Sequence, residues 1–390
     1  MAIEAGKPVV AVYIRDYLSF SGTFVYRQLL GVADVFRPIV LTSNLLNPGG
    51  FPFDPVYHQG KKLPGKVYAR LLRAIKRRPS VLTPRQRRFF ERVLKDEGVG
   101  LIHAHFGNFA LDLLPLAKSL GIPMVVTFHG ADASNMLRNA TYVRNLPELV
   151  DYADVITVSH EMAGRLAAID VKPRRAHVHY IGVPLEDFEF VARKPLAEKI
   201  AAGEGVRFCQ VAGFAEKKGH RYTLQAFARY AAAHPNAELI LGGDGPLLPD
   251  IRAHCAELGL NDRVRFPGQV DKAEVIRLMA QSDVFLQHSV TASDGNMEGL
   301  PTALMEAMAT GLIVVSTRHS GIPELIADGD NGYLVEERDL DGYVAKLESL
   351  SGVDPGMPRR ARETVERSFD MKVQNHKLTE IYREAMAAGA

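Results

Sequence analysis

Short runs of β-branched and other apolar residues alternate along this chain with longer stretches in which apolar positions recur at helical spacing, the pattern of parallel sheets covered by helices. In the first half the runs predict strands at 9–14, 39–42, 101–104, 124–128, 155–159 and 178–181. A stretch without a clear strand follows at 184–205, and the series restarts at 206–212, 238–242, 264–266, 284–287 and 313–316. Two such series predict an α/β protein of two Rossmann-like domains, residues 1–185 and 186–370. Ligands in this architecture bind at the carboxyl ends of the strands, which points to the cleft between the domains. Residues 371–386 read as an amphipathic helix, and there is no tandem repeat or low-complexity segment.

Composition fits two folded domains: 390 residues, 47% of them apolar, can fill two cores. With no apolar run of about 18 residues and no signal peptide, the cytoplasm is the expected compartment. Cys209 and Cys255 are the only cysteines, so neither a disulfide framework nor a cysteine metal cluster is expected. The net charge of +2 hides an asymmetry, because residues 1–185 carry 24 Lys and Arg against 14 Asp and Glu, leaving 23 against 31 for the rest. Much of the excess lies in residues 61–95, which hold 13 Lys and Arg and one acid, Glu91. Apolar residues recur among them at helical spacing, predicting two basic amphipathic helices broken near 79–84. Such helices suit an anionic membrane surface or a lipid-linked acceptor; equally, the apolar stripe could pack on the first core and leave the charges solvated. No nucleic-acid motif accompanies the charge.

The densest chemistry lies at 289–311, SVTASDGNMEGLPTALMEAMATG. A loop rich in Asp, Gly and Asn turns into a helix at Pro301, a residue favoured in a first helical turn. The free N–H groups and positive dipole of that helix start can hold an anion such as a diphosphate. Glu298 and Glu306 flank it, and carboxylates accept paired hydrogen bonds from vicinal hydroxyls. A ligand with a sugar on each side of a diphosphate, a nucleotide sugar, suits that arrangement; a surface loop with solvated glutamates is the plain alternative. Elsewhere, small residues at 19–24 permit close approach to a ligand, and Lys218 stands where a loop meets a helix and can neutralise phosphate. Gly242-Gly243-Asp244-Gly245-Pro246 is a turn signal. His103-Ala104-His105-Phe106-Gly107 and Thr127-Phe128-His129-Gly130-Ala131-Asp132 put polar residues at strand ends, without a third partner to suggest a metal.

Asp294-Gly295, Glu298-Gly299-Leu300-Pro301, Glu306-Ala307-Met308-Ala309, Gly311, Gly321-Ile322-Pro323-Glu324 and Asn331-Gly332 together resemble the donor-site block of retaining family 4 glycosyltransferases, in the form found in colanic acid and other exopolysaccharide enzymes. The resemblance covers most of residues 100–335. It implies the GT-B fold, two Rossmann-like domains facing a central cleft, with the 371–390 helix crossing back onto the N-terminal domain. It implies transfer of a hexose-type sugar from a nucleoside diphosphate sugar, UDP-sugar favoured over GDP-sugar, to an acceptor hydroxyl with retention and without a cofactor or metal. Glu306 would hold the ribose, Glu298 the donor sugar, and Lys218 with the N–H groups of Gly299, Leu300 and Thr302, around Pro301, the diphosphate. Gly243, Val270, Asp294 and Gly295 match further donor-site positions. His129 and Asp132 match the family's His-Gly-x-Asp and become candidates for positioning and acid–base assistance; their plain alternative is a strand-end histidine and a turn-capping aspartate.

The sequence departs from the family pattern twice: Gly22 stands where a glutamate is usual, and Gly213 where an arginine assists Lys218 on the diphosphate. The expected partners are a nucleotide sugar and an acceptor saccharide, lipid-linked or soluble, at the inner face of the cytoplasmic membrane in the former case. A non-catalytic nucleotide-sugar or anionic-surface binding protein, a sugar-nucleotide epimerase and a phosphorylase remain alternatives.

Overall fold

The computed structural model describes residues 6–17, 22–60 and 81–389, so the Ser19–Ser21 part of the first loop and the first predicted basic helix lie outside the described residues. The chain forms two compact units, residues 1–182 with 372–390, and residues 183–371.

Unit 1 contains β1 (Val9–Tyr13), β2 (Asp16–Tyr17), β3 (Arg37–Thr42), β4 (Asn44–Leu45), β5 (Val56–His58), β6 (Val99–His105), β7 (Met124–Phe128), β8 (Asp154–Thr157) and β9 (Ala176–Val178). Seven of these form a parallel sheet in the order β5-β3-β1-β6-β7-β8-β9, while β2 and β4 pair separately. Every residue of β1 and of β7 is buried, as expected of strands covered on both faces. The order reverses between β1 and β6, which opens a crevice beyond their carboxyl ends.

The second predicted basic helix is observed at Pro84–Asp96. Thr83 and Gln86 start it as a reciprocal capping box, Gln86 N–H donating to Thr83 Oγ1 (3.2 Å) and Thr83 N–H to Gln86 Oε1 (3.1 Å). Phe90, Val93 and Leu94 are buried in unit 1, where burial stabilises each by about 1.5–3 kcal/mol. Of the two readings of this apolar stripe, the structure has the one in which it packs on the first core, and Arg85, Arg87, Arg88, Arg92 and Lys95 are left exposed. No described helix is long and apolar enough to cross a membrane.

The last helix, Met371–Gly389, docks on unit 1 through Leu378, Ile381, Tyr382 and Ala385. Two buried histidines hold it. His103 meets Tyr382 Oη at 2.6 Å through Nδ1 and Thr127 Oγ1 at 2.7 Å through Nε2, and His179 Nε2–H donates to Gln374 O at 2.8 Å.

Unit 2 contains β10 (Arg207–Val211), β11 (Glu238–Gly242), β12 (Val264–Gly268), β13 (Val284–Leu286), β14 (Ile313–Thr317) and β15 (Tyr333–Val335), all parallel, in the order β12-β11-β10-β13-β14-β15. Here the reversal falls between β10 and β13. Phe208, Leu239, Leu241, Val284, Leu286 and Val315 carry the core beneath the flanking helices.

Burial pushes His179 down to about 4 and His103 well below its ordinary value, so both are neutral in the folded unit. A histidine whose pKa is depressed on folding binds more protons when unfolded, so its stability contribution is present above about pH 6.5 and is lost as pH falls toward the folded value. Between pH 7 and pH 5 the His179 contribution falls by about 2 kcal/mol. The protection factors of amides in the 371–389 helix, that is exchange corrected for the intrinsic rate at each pH, are expected to fall from pH 7 to pH 5; unchanged protection factors would refute the assignment of buried neutral histidines.

Candidate functional site

The β10–β13 reversal places two loops side by side. The loop after β10 closes in a short 3-10 turn, Glu216–Lys218, ended by Gly219 at φ +64°. Only glycine fits there, since a Cβ would lie 1.7 Å from His288 O, on the chain leaving β13. Val290 N–H donates to Lys217 O (3.0 Å), and Ser293 donates to the Glu216 carboxylate through N–H (2.9 Å) and Oγ (2.7 Å). The two loops are thereby bound together.

Their meeting brings Lys217, Lys218 and Glu298 into one cluster. Lys218 Nζ is 2.9 Å from Glu298 Oε1, and Lys217 Nζ is 3.7 Å from Oε2 while donating to Met297 O at 3.3 Å. Burial by itself would raise the Glu298 pKa, but Lys218 and then Lys217 outweigh it and hold the carboxyl below its usual range. Burial draws the Lys217 ammonium below the ordinary lysine range, with Glu298 opposing. Glu298 is therefore ionised and oriented at neutral pH.

Four residues on, the helix Thr302–Thr310 begins. Pro301 is its N-cap with extended ψ (118°), so the first helical residue is Thr302, one later than expected. With no side chain capping the helix start, its leading amides and dipole are directed at the 298–301 turn. Glu306 sits one turn after Thr302, on the same helix face and half-buried. Gly299 and Leu300 are buried, and Gly299 O accepts from Gly321 N–H at 3.3 Å. Asp294 is exposed, its Oδ1 accepting from Asn296 N–H (2.8 Å), and Gly295, at φ +83°, completes that turn. Gly243 lies against the β10 loop, where a Cβ would be 2.1 Å from Ala212 O, and Val270 packs beside Gly242.

The remaining candidates lie in unit 1. Gly22 is the buried N-cap of the Thr23–Val32 helix. The Asp132 carboxylate accepts three backbone N–H groups, from Gly107 at 2.9 Å and from His129 and Gly130 at 3.0 Å each. That is the geometry of a positioning group, tying the β6 and β7 ends together. Burial raises its pKa against the pull of those amides. His129 Nε2 meets His105 Nδ1 at 2.9 Å, and the Phe24 and Phe106 rings lie 4.8 and 4.6 Å from the His129 ring. Burial lowers His105 to about 3 and His129 well below its ordinary value, so both are neutral and share one proton along that contact. Among the described residues His129 Nδ1 has no hydrogen-bond partner. Among them, too, no group of three or more His, Cys, Asp or Glu side chains is arranged to hold a metal.

Sequence reasoning passed over three participants. Lys217 has no counterpart in the family pattern, yet the 3-10 turn lets both neighbouring lysines reach Glu298. His319 and Glu337 support the Glu298 backbone; the only local signal is the position of His319 two residues before Gly321-Ile322-Pro323-Glu324.

Residues 195–366 match the family model described as glycosyl transferases group 1, and residues 47–187 match that of glycosyltransferase family 4. The putative colanic acid biosynthesis glycosyltransferase WcaL of Salmonella typhimurium is 33% identical over 286 residues, covering 71% of this chain and 69% of the relative. The amylovoran biosynthesis glycosyltransferase AmsK of Erwinia amylovora is 32% identical over 285 residues, 72% of this chain and 69% of that one. Among solved structures, Anabaena Alr3699/HepE in complex with UDP-glucose superposes with a TM-score of 0.78 at 17% identity, over 96% of this chain and 99% of that one. A sucrose-phosphate synthase from Thermosynechococcus elongatus gives 0.76 at 18% identity, over 98% and 100%. A two-lysine, one-glutamate cluster at the switch point of the second of two Rossmann-like units, seen together with these matches, identifies the chain as a member of the family 4 glycosyltransferases with the GT-B fold.

Proposed function

We propose that this glycosyltransferase moves a hexose-type sugar from a nucleoside diphosphate sugar to an acceptor hydroxyl with retention of anomeric configuration, in the assembly of an exopolysaccharide. The observation that carries the donor reading is the Lys217–Lys218–Glu298 cluster beside the start of the Thr302–Thr310 helix. Two ammonium groups lie beside the start of this helix, where its first amides also point, and a diphosphate is an anion that such a set suits. On donor binding Lys218 turns toward the diphosphate, and the Glu298 oxygen it leaves accepts the sugar hydroxyls. Fixed cations at the departing nucleotide stabilise charge that grows in the transition state. UDP is favoured over GDP as the carrier, in line with the UDP-glucose in the structural neighbour, and neither a cofactor nor a metal is required. The names of the relatives point to a polymer of the colanic acid or amylovoran kind. In unit 1, His129 contributes an uncharged nitrogen, Nδ1, suited to an acceptor or donor hydroxyl. A lipid-linked acceptor would bring the protein to a membrane surface, with the exposed basic face of the Pro84–Asp96 helix toward anionic headgroups.

The test is binding and slow hydrolysis of UDP-, GDP-, ADP- and dTDP-sugars by the purified protein in EDTA, followed by NMR of the anomeric configuration of any transfer product. Glu298→Ala and Glu306→Ala each remove charged hydrogen bonds worth about 1.5–3 kcal/mol, a loss of roughly 10- to 150-fold in donor use. Full turnover by both variants would refute the donor site and favour a non-catalytic binding protein.

Gly213 generates a second prediction. A Cβ there would meet only Asp244 O, at an ordinary 3.6 Å, so a side chain is accommodated. Gly213→Arg is expected to tighten UDP binding by about 10-fold through a restored charge-assisted hydrogen bond, and Lys217→Ala to weaken it. Unchanged affinity in Lys217→Ala, measured by calorimetry, would show that Lys217 does not stand in for the arginine.

A further inference from the structure

Glu298 depends on a second group of residues that contacts its backbone rather than its carboxylate. His319, fully buried in the turn after β14, accepts the Glu298 N–H at its Nε2 (3.0 Å). Because Nε2 accepts, the ring proton is on Nδ1, which donates to Glu337 Oε1 at 2.5 Å. Glu337, just beyond β15, is held in turn by Thr291 N–H (2.7 Å), Thr291 Oγ1 (3.1 Å) and Arg338 Nη1 (3.0 Å). The neighbouring Ser320 Oγ donates to Glu298 O (2.7 Å) and lies 3.2 Å from Gly299 O. The peptides on both sides of Glu298 are therefore gripped from one turn, and the chain segments leaving β13, β14 and β15 are joined through a single imidazole.

Backbone strain marks the same place. Among the described residues of unit 2, the non-glycine residues with φ in the left-handed region are Ser320 (+49°) and Arg338 (+65°), one beside His319 and one beside Glu337. Such conformations persist where surrounding contacts over-determine them, and they cluster at functional sites. Here each strained residue also contributes contacts to the assembly it flanks.

We propose that His319, oriented by Glu337, is the positioning residue of the donor site: its Nε2 fixes the Met297–Glu298 peptide and, with Ser320 on the Glu298–Gly299 peptide, thereby aims both the Glu298 carboxylate and the following amides at the donor. This rests on the nucleotide-sugar reading of the Glu298 cluster. The imidazole acts through the backbone and touches no reacting atom. Its position requires an acceptor on the Glu298 side and a donor on the Glu337 side at once, which a neutral histidine with Nδ1–H supplies.

The experiment compares His319→Ala, His319→Gln, His319→Asn and Glu337→Gln with the wild type in the full-length protein. Two quantities are read: amide exchange at Glu298 without ligand, and the dissociation constant and KM for the UDP-sugar that the wild type binds. His319→Ala is expected to speed Glu298 exchange and to raise the donor dissociation constant by about 5- to 100-fold. The Gln amide oxygen reaches the position of Nε2 and recovers most of both effects, whereas Asn, one methylene shorter, does not. Glu337→Gln is expected to give an intermediate loss, with KM rising more than kcat falls. Unchanged Glu298 exchange in a folded His319→Ala protein overturns the proposal, as does rescue by Asn equal to that by Gln. Fast exchange in His319→Ala together with no donor binding by the wild type instead overturns the nucleotide-sugar reading and leaves the hold of His319 on Glu298 supported.

Discussion

Removing a carboxylate and two ammonium groups from water is costly, and the Glu298 cluster persists because each ion faces an opposite charge or a carbonyl. With two cations beside it, Glu298 is not protonated cheaply. The cluster is thus an oriented set of charges, and the neighbouring loops of unit 2 hold it in place.

Topology supplies the arrangement and hydrogen bonds make it rigid. The reversal of strand order between β10 and β13 brings the lysine turn and the glutamate loop to one crevice. Gly219 allows the chain leaving β10 to pass against His288 O, and Glu216 binds Ser293 across the two loops. Unit 1 has the same architecture with opposite chemistry. Its β6 and β7 ends are held by Asp132 on three amides, and what they present is a pair of neutral imidazoles rather than ions. One unit therefore gathers ions at its strand ends, and the other gathers uncharged imidazoles.

The main strands were legible because buried parallel strands leave near-continuous apolar runs; 124–128 and 238–242 agree to the residue. Those missed, β2, β4, β5 and β15, are two or three residues long and too short to carry a period. Pro301 signalled a helix start, but its backbone is extended, and it caps the helix from outside. The amphipathic pattern of 84–96 was correct as a helix; periodicity could not tell whether its apolar face met a core or a membrane.

The sequence by itself determined the two α/β series, the Glu298–Glu306 block and the family to which they belong, since these depend on local period, turn chemistry and residue spacing. Only the tertiary structure decided that Lys217 joins Lys218 on Glu298, that His319 and Glu337 hold the Glu298 peptide, and that the Asp132 carboxylate is engaged by backbone amides. These contacts join residues 3 to about 80 positions apart, brought together by strand order and by turns whose φ values leave no periodic trace in the chain.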